Sequence, residues 1–289
     1  MQTTQKPNVY FTKSITPEAL TAVYNSLERK CEGKTAVKLS TGEPPASNYL
    51  RPALIKDLVQ LVKGTIVECN TAYEGSRIRT ADHYRVAKDH GFTEIADFQI
   101  LDEDGSMTLP VNGGIRLKEN YVGKHFPDYD SYLILSHFKG HMMAGFGGAI
   151  KNISIGIGSG KGKAWIHSGG TSLTDFWGAE QNSFLEAMAE AGKSVADYLG
   201  DRIVYVNVMN RLSIDCDCDG HPAEPDMKDI GVLASIDPLA LDQACIDLVY
   251  SAPDGKSLIK RIESKNGLHT LEHAAKIGLG SREYSLIEI

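Results

Sequence analysis

Between residues 136 and 167 the chain reads SHFKGHMMAGFGGAIKNISIGIGSGKGKAWIH. His137, Lys139 and His141 alternate directly after the apolar run Ser131–Leu135. Imidazoles exchange protons near neutral pH and ligate metals through a ring nitrogen. At period two, the three polar groups share one side of an extended chain. Gly145, Gly147 and Gly148 lack side chains, which lets backbone approach a ligand, and Lys151 follows. A single histidine here reads as structural more often than functional. Imidazoles, amines and glycines this dense after a buried strand read as a site. The alternating Gly156, Gly158, Gly160 and Gly162 suggest an anion cradle of backbone N–H groups. They do not form a P-loop, because Ile155 and Ile157 stand where its first glycine would have to be.

A second cluster is Asp215-Cys216-Asp217-Cys218-Asp219-Gly220-His221. Thiolate and imidazole suit zinc, nickel and similar cations, so Cys216, Cys218, His221 and, from the first stretch, His167 are candidate metal ligands. The flanking aspartates raise thiol pKa values until a cation reverses the effect. The competing reading is an acidic surface loop with two incidental cysteines, and the two stand level. In the run Ser235-Ile236-Asp237-Pro238, Asp237 reads as a helix cap. Asp242, on an otherwise apolar helix, reads as a hydrogen-bonded core residue.

These groups need a frame. Strand signals fall at 8–11, 35–39, 65–68, 94–99, 131–135, 202–208, 230–234 and 284–288. Helix signals fall at 16–29, 52–63, 80–90, 183–199, 237–249, 258–264 and 270–276. Residues 102–124 read as a β-hairpin. The alternation predicts an α/β fold, mainly parallel sheet with helices on both faces. It divides into an N-terminal unit, 1–165, and a C-terminal unit, 166–289, which can also join as one domain. Thr41 and Arg77 follow the strands 35–39 and 65–68 on loops that leave carboxyl ends, the edge at which open α/β sheets bind ligands. Arg77 is either an anion clamp or a surface ion pair.

The 289 residues are 42% hydrophobic, enough for a sizeable core, and carry a formal net charge of -7. That charge and the lack of a basic stripe give no basis for nucleic-acid binding. No apolar run approaches the roughly 20 residues that span a bilayer. The first twenty residues show no apolar leader core, so the cytoplasm is the expected location. Five cysteines, an odd number in a chain this long, do not read as a disulfide framework.

The stretches SHFKGH…GFGGAIKN, CNTAYEGSR…DH…HGF, DCDC and DIGVLASIDPLALDQACIDLV resemble the DUF362 group over nearly the whole chain. Many members of that group carry a ferredoxin-like insert with two Cys-x2-Cys-x2-Cys-x3-Cys-Pro runs. Here Ser168–Asn182 stands in its place, so an iron–sulfur cluster is not expected. HMMAGFGGAIKNISIGI is more distantly similar to a segment of the nickel-pincer-dependent lactate racemases, with the same ten-residue step from His to Lys. That resemblance implies an acid/base role for His141, beside which the alternating His137 and Lys139 are candidate catalytic residues from the residue pattern alone. It implies that Lys151 anchors a nickel-pincer-type nucleotide, with Gly147, Gly148, Arg77 and Thr41 as further cofactor contacts. The racemases' Gly-Thr-His-Arg segment matches Tyr73–Arg77, which holds no histidine, so the resemblance supplies no second catalytic histidine.

Two functions follow. The first is an enzyme with a divalent metal, zinc or nickel, or a metal-bearing cofactor. It acts on a small anionic molecule by proton or hydride transfer, as a racemase, an isomerase or an oxidoreductase. The second is a non-catalytic metal-binding or electron-transfer module in which Cys216, Cys218 and His221, with His167 or His137, hold zinc or an iron–sulfur centre and the chain serves a partner. A simple anion site with structural cysteines is the third and weakest reading.

Overall fold

The computed structural model describes residues 6–289. The first five residues, on which part of the leader reading rests, lie outside the described residues. In chain order the elements are β1 Asn8–Thr12, α1 Pro17–Ser26, β2 Thr35–Lys38, α2 Pro52–Leu61, β3 Thr65–Glu68, α3 Thr80–Asp89 and β4 Phe98–Ile100. The hairpin β5 Ser106–Pro110 and β6 Glu119–Gly123 follows, then β7 Ser131–His137, β8 Lys139–His141 and β9 Gly145–Gly147. The rest is α4 Ala149–Ser154, α5 Gly160–His167, α6 Gln181–Leu199, β10 Ile203–Met209, β11 Gly231–Ser235, α7 Pro238–Ser251, α8 Lys256–Ser264, α9 Leu268–Lys276 and β12 Ser285–Glu288.

One mixed, mostly parallel sheet runs β12-β1-β11-β10-β7-β2-β3-β4. Strands β10, β7, β2, β3 and β4 are mutually parallel, so their carboxyl ends share one edge. β11 reverses direction between β10 and β1. Strands from before and after residue 165 thus lie in one sheet.

Both faces of that sheet are covered, which is why its strands read as nearly continuous apolar runs. Along β7, Leu133 and Leu135 face α1 and α2, where they meet Leu20, Val23, Ile55 and Leu58. Tyr132 and Ile134 face the opposite layer with Ile150, Ile153, Val195 and Leu241. β10 divides the same way, Val204 and Val206 on one side and Ile203 and Tyr205 on the other. Burying each such side chain contributes about 1.5–3 kcal/mol. The starts of α1 and α7 follow their caps. Thr16 accepts from Ala19 N, and Asp237 accepts from Leu239 N and Ala240 N, each just before a proline.

Two local expectations fail. Residues 94–99 do not form a strand throughout. Gly91, at φ 82°, ends α3, and the fully buried Phe92 draws the chain into a short 3-10 turn, so only Phe98–Ile100 pairs with β3. The Gly-rich run is not a loop but two helices, α4 and α5, with Ser159 capping the second. Among the described residues no helix is long and apolar enough to cross a membrane.

Candidate functional site

The parallel edge ends in polar residues. β7 delivers His137, β2 delivers Lys38 and β3 delivers Glu68. With Cys216, Asp217 and Cys218 from the loop after β10 they line a cleft, together with Lys139, Lys151, Lys163 and Arg77. An adjoining chamber is lined by His141, His167, Met142, Met143, Phe176 and Trp177. The two spaces share Tyr73, Lys151, Ile155, Lys163 and Cys218.

In the first space buried cations outnumber anions. Asp217 is the partner of Lys139 and lies 3.4 Å from His137 Nδ1. Burial pushes the Asp217 carboxyl up, but Lys139 pulls it well below the carboxylate range. Burial brings Lys139 down to about 8 against that attraction. Lys38 donates to Leu39 O at 2.6 Å and Asn152 Oδ1 at 3.0 Å, and burial lowers it to about 8 as well. Arg77 is held by Glu43 at 3.0 Å and by the Tyr73 hydroxyl at 2.9 Å. Lys163 donates to Gly158 O at 2.6 Å. Lys151 differs from all of these. No acceptor among the described residues takes its ammonium, and burial with the nearby Lys38 lowers it to about 8.

Three histidines are held neutral, chiefly by burial. His137 donates from Nε2 to Asn210 O at 2.6 Å, which leaves Nδ1 buried without a hydrogen bond. His141 accepts at Nδ1 from Ala144 N at 2.9 Å and Met143 N at 3.2 Å, so its own proton sits on Nε2. His167 donates from Nδ1 to Lys163 O at 2.8 Å, keeping a lone pair on Nε2, and burial lowers it to about 3. Its ring stacks on Phe176 and Phe184, with centroids 3.8 and 4.9 Å away.

Cys216 and Cys218 are joined as a disulfide. Their sulfurs and a ring nitrogen of His141 lie within 4.8 Å of one another, a set of three groups able to hold a metal ion once the thiols are free. The loop carrying them is tied down by Gly140 N to Ser213 O at 2.9 Å and by Arg261 to Ile214 O at 2.7 Å.

The expected site residues separate into three groups. His137, Lys139, Lys151, Arg77, Gly147, Gly148, Cys216 and Cys218 line the first space, and His141 and His167 the second. His137, Lys139 and His141 do not share one side. β7 ends at His137 and β8 turns away to pair with β9, which carries His141 into the other chamber. Arg77 is buried and not part of a surface ion pair. Thr41 stands behind the cleft, giving its N–H and hydroxyl to Glu68 at 3.0 and 2.5 Å. His221 is exposed and joins no cluster; its N–H bonds Asp219 at 2.8 Å.

The anion cradle read from the alternating glycines is overturned. The N–H groups of Gly156, Gly158, Gly160 and Gly162 serve Lys151 O, Ser154 O, Asp102 Oδ2 and Ser159 Oγ, so they cradle no anion. A methyl group on Gly147 would meet Lys151 Cδ at 3.1 Å, and one on Gly148 would strike the Asp242 carboxylate. These glycines make room for the chain's own side chains. Asp242 is buried in the core as expected, accepting from Ala149 N at 2.8 Å, Ile150 N at 2.9 Å and Asn207 at 2.7 Å. It fixes the start of α4, which carries Lys151. Sequence reasoning passed over Lys38, Lys163 and Glu68. A lysine ending an otherwise apolar strand, as in Thr35–Lys38, was the available signal for the first.

No curated protein matches the chain. Several solved structures are similar to it, among them the following two. The lactate racemase apoprotein from Thermoanaerobacterium thermosaccharolyticum is 14% identical with a TM-score of 0.45, over 69% of this chain and 50% of that one. A protein from Thermotoga maritima is 11% identical with a TM-score of 0.43, over 90% of this chain and 58% of that one. The chain thus spans little more than half the length of either, and likeness at these scores carries no argument about chemistry. The model of the family described as a domain of unknown function, DUF362, matches residues 35–247, and the chain belongs to that family.

Proposed function

We propose that the cleft binds a small anionic molecule beside a metal-bearing cofactor, and that the chain is an enzyme acting on that molecule by proton or hydride transfer. The observation that carries this reading is Lys151. Its amine is the one cleft cation without a partner among the described residues, and it stands where the two spaces meet. An unpaired ammonium taken from water is stabilised by an anion, and an amine lowered to about 8 has enough neutral form to attack or be acylated. The residues fit a cofactor of the nickel-pincer class in this respect, with the amine of Lys151 as anchor. Such a group, when bound, supplies an electron-accepting metal centre. The chain's own residues do the rest. Lys38, Lys163 and Arg77 hold the anion, and His141 and His167 hold or accept a proton in the adjoining chamber.

The test is anaerobic purification with metal analysis, intact mass and thermal melting in phosphate or malonate. Wild-type protein is expected to carry extra mass at Lys151 and to melt higher with either anion, and Lys151→Met to lose both effects. A wild-type chain of unmodified mass, with a Lys151→Met variant that answers anions equally, overturns the reading.

A further inference from the structure

The cysteine pair belongs to the cleft in one oxidation state and is closed in the other. We propose that the Cys216–Cys218 disulfide is a redox gate on a thiophilic-metal site, so that only the dithiol form takes up a cation such as Zn2+. Cys216 Sγ, Cys218 Sγ and a His141 ring nitrogen lie within 4.8 Å of one another. Ligand atoms around one tetrahedral zinc stand about 3.5–4 Å apart, given bond lengths near 2.0–2.3 Å, so the sulfurs must part once their bond opens while the His141 ring already stands close. The same two sulfurs are bonded to each other, and a bonded pair offers no thiolate. The two states exclude each other.

Two of the three flanking carboxylates are paired with cations. Asp217, between the two cysteines, is committed to Lys139, and Asp215 to Arg261. Neither carboxylate is left free to repel a thiolate, while Lys151 lines the cleft beside Cys218. Cys218 lines both spaces, so a small thiol can reach it. The chemistry balances. Two equivalents of a small thiol reduce the protein disulfide to two thiols and leave as one small-molecule disulfide. A divalent cation then displaces one proton from each thiol. His141 is the weaker third ligand. Its Nδ1 is engaged by two backbone N–H groups, so ligation at Nε2 must displace the ring proton held there.

The experiment compares full-length protein oxidised with glutathione disulfide against protein reduced with dithiothreitol and desalted without air. Cys31, Cys69 and Cys245 are free thiols in both forms, so denatured thiol counts should be three and five. Zn2+ titrated against a chromophoric chelator should then bind one equivalent of the reduced chain and none of the oxidised chain. Cys216→Ser/Cys218→Ser should bind none in either state, and His141→Ala should bind more weakly than wild type. Equal binding by both oxidation states, or by the double variant, overturns the gate, as does a count of three thiols after reduction. The double variant should still be stabilised by phosphate, so loss of the gate and loss of the Lys151 anion site are read separately.

Discussion

His141 and His167 line one chamber with their ring protons on opposite nitrogens. His141 accepts at Nδ1 from Ala144 N and keeps its proton on Nε2, whereas His167 gives its Nδ1 proton to Lys163 O and keeps a lone pair on Nε2. One ring is therefore a donor and the other an acceptor, although both are neutral. The chamber thus holds two histidines from different elements, His141 from β8 and His167 from the end of α5.

His167→Phe should separate that lone pair from the packing. A phenyl ring keeps the stack on Phe176 and Phe184, so the variant is expected to melt within a few degrees of wild type. Turnover should fall by about 100-fold or more if His167 moves a proton. Retained turnover in a folded variant would remove His167 from the chemistry.

Lys151→Met should raise the stability of the ligand-free protein. Among the described residues the ammonium has no acceptor to lose, and an apolar chain of similar length relieves an unpaired, half-buried charge, by up to about 1 kcal/mol. Thermal melting at pH 7 without anions reads this directly. A melting point lower than wild type would mean that the amine has a structural partner after all.

Three cleft lysines, Lys38, Lys139 and Lys151, are lowered to about 8 in the folded chain. Their unfolded values lie near 10.4, so between about pH 8 and 10 the unfolded state binds more protons, and these groups make stability rise with pH. Anion binding goes the other way. The charged lysines are the binding form, so affinity should hold below pH 7, fall above pH 8, and be accompanied by proton uptake near pH 8. Calorimetry in buffers of different ionisation heat measures that uptake, and none at pH 8 would place the anion elsewhere.

Asp217→Asn should be strongly destabilising, because it leaves Lys139 buried without its counter-charge, at a cost of about 3–5 kcal/mol. The wild-type carboxyl lies below its unfolded value, so its contribution is complete above the unfolded carboxylate pKa and is lost as pH falls through the acid range. Chemical denaturation at pH 7 and pH 3 should therefore show a mutant penalty that shrinks in acid. A penalty independent of pH would rule out the ion pair as its source.

Much of the frame was legible in the chain. The apolar runs of β7 and β10, the proline-led helices α1 and α7 and the hairpin of β5 and β6 all rest on neighbours within a few residues, and they formed close to where the local pattern puts them. The Gly-rich stretch was misread because a glycine states what is missing and not what fills the space. Only the fold shows that Asp242, 94 positions after Gly148, occupies that gap.

What the sequence by itself determined is the α/β order, the family, and the placing of imidazoles, amines and thiols at strand ends. Tertiary structure alone decided which of them meet. His221 is turned out to water while His167 enters the chamber, Lys38 and Lys163 join Lys151, and Asp217 answers Lys139 across 78 positions. The physical reason is that a parallel sheet gathers the carboxyl ends of strands distant in sequence at one edge. Charge pairing, proton placement and desolvation there depend on distances that no local pattern encodes.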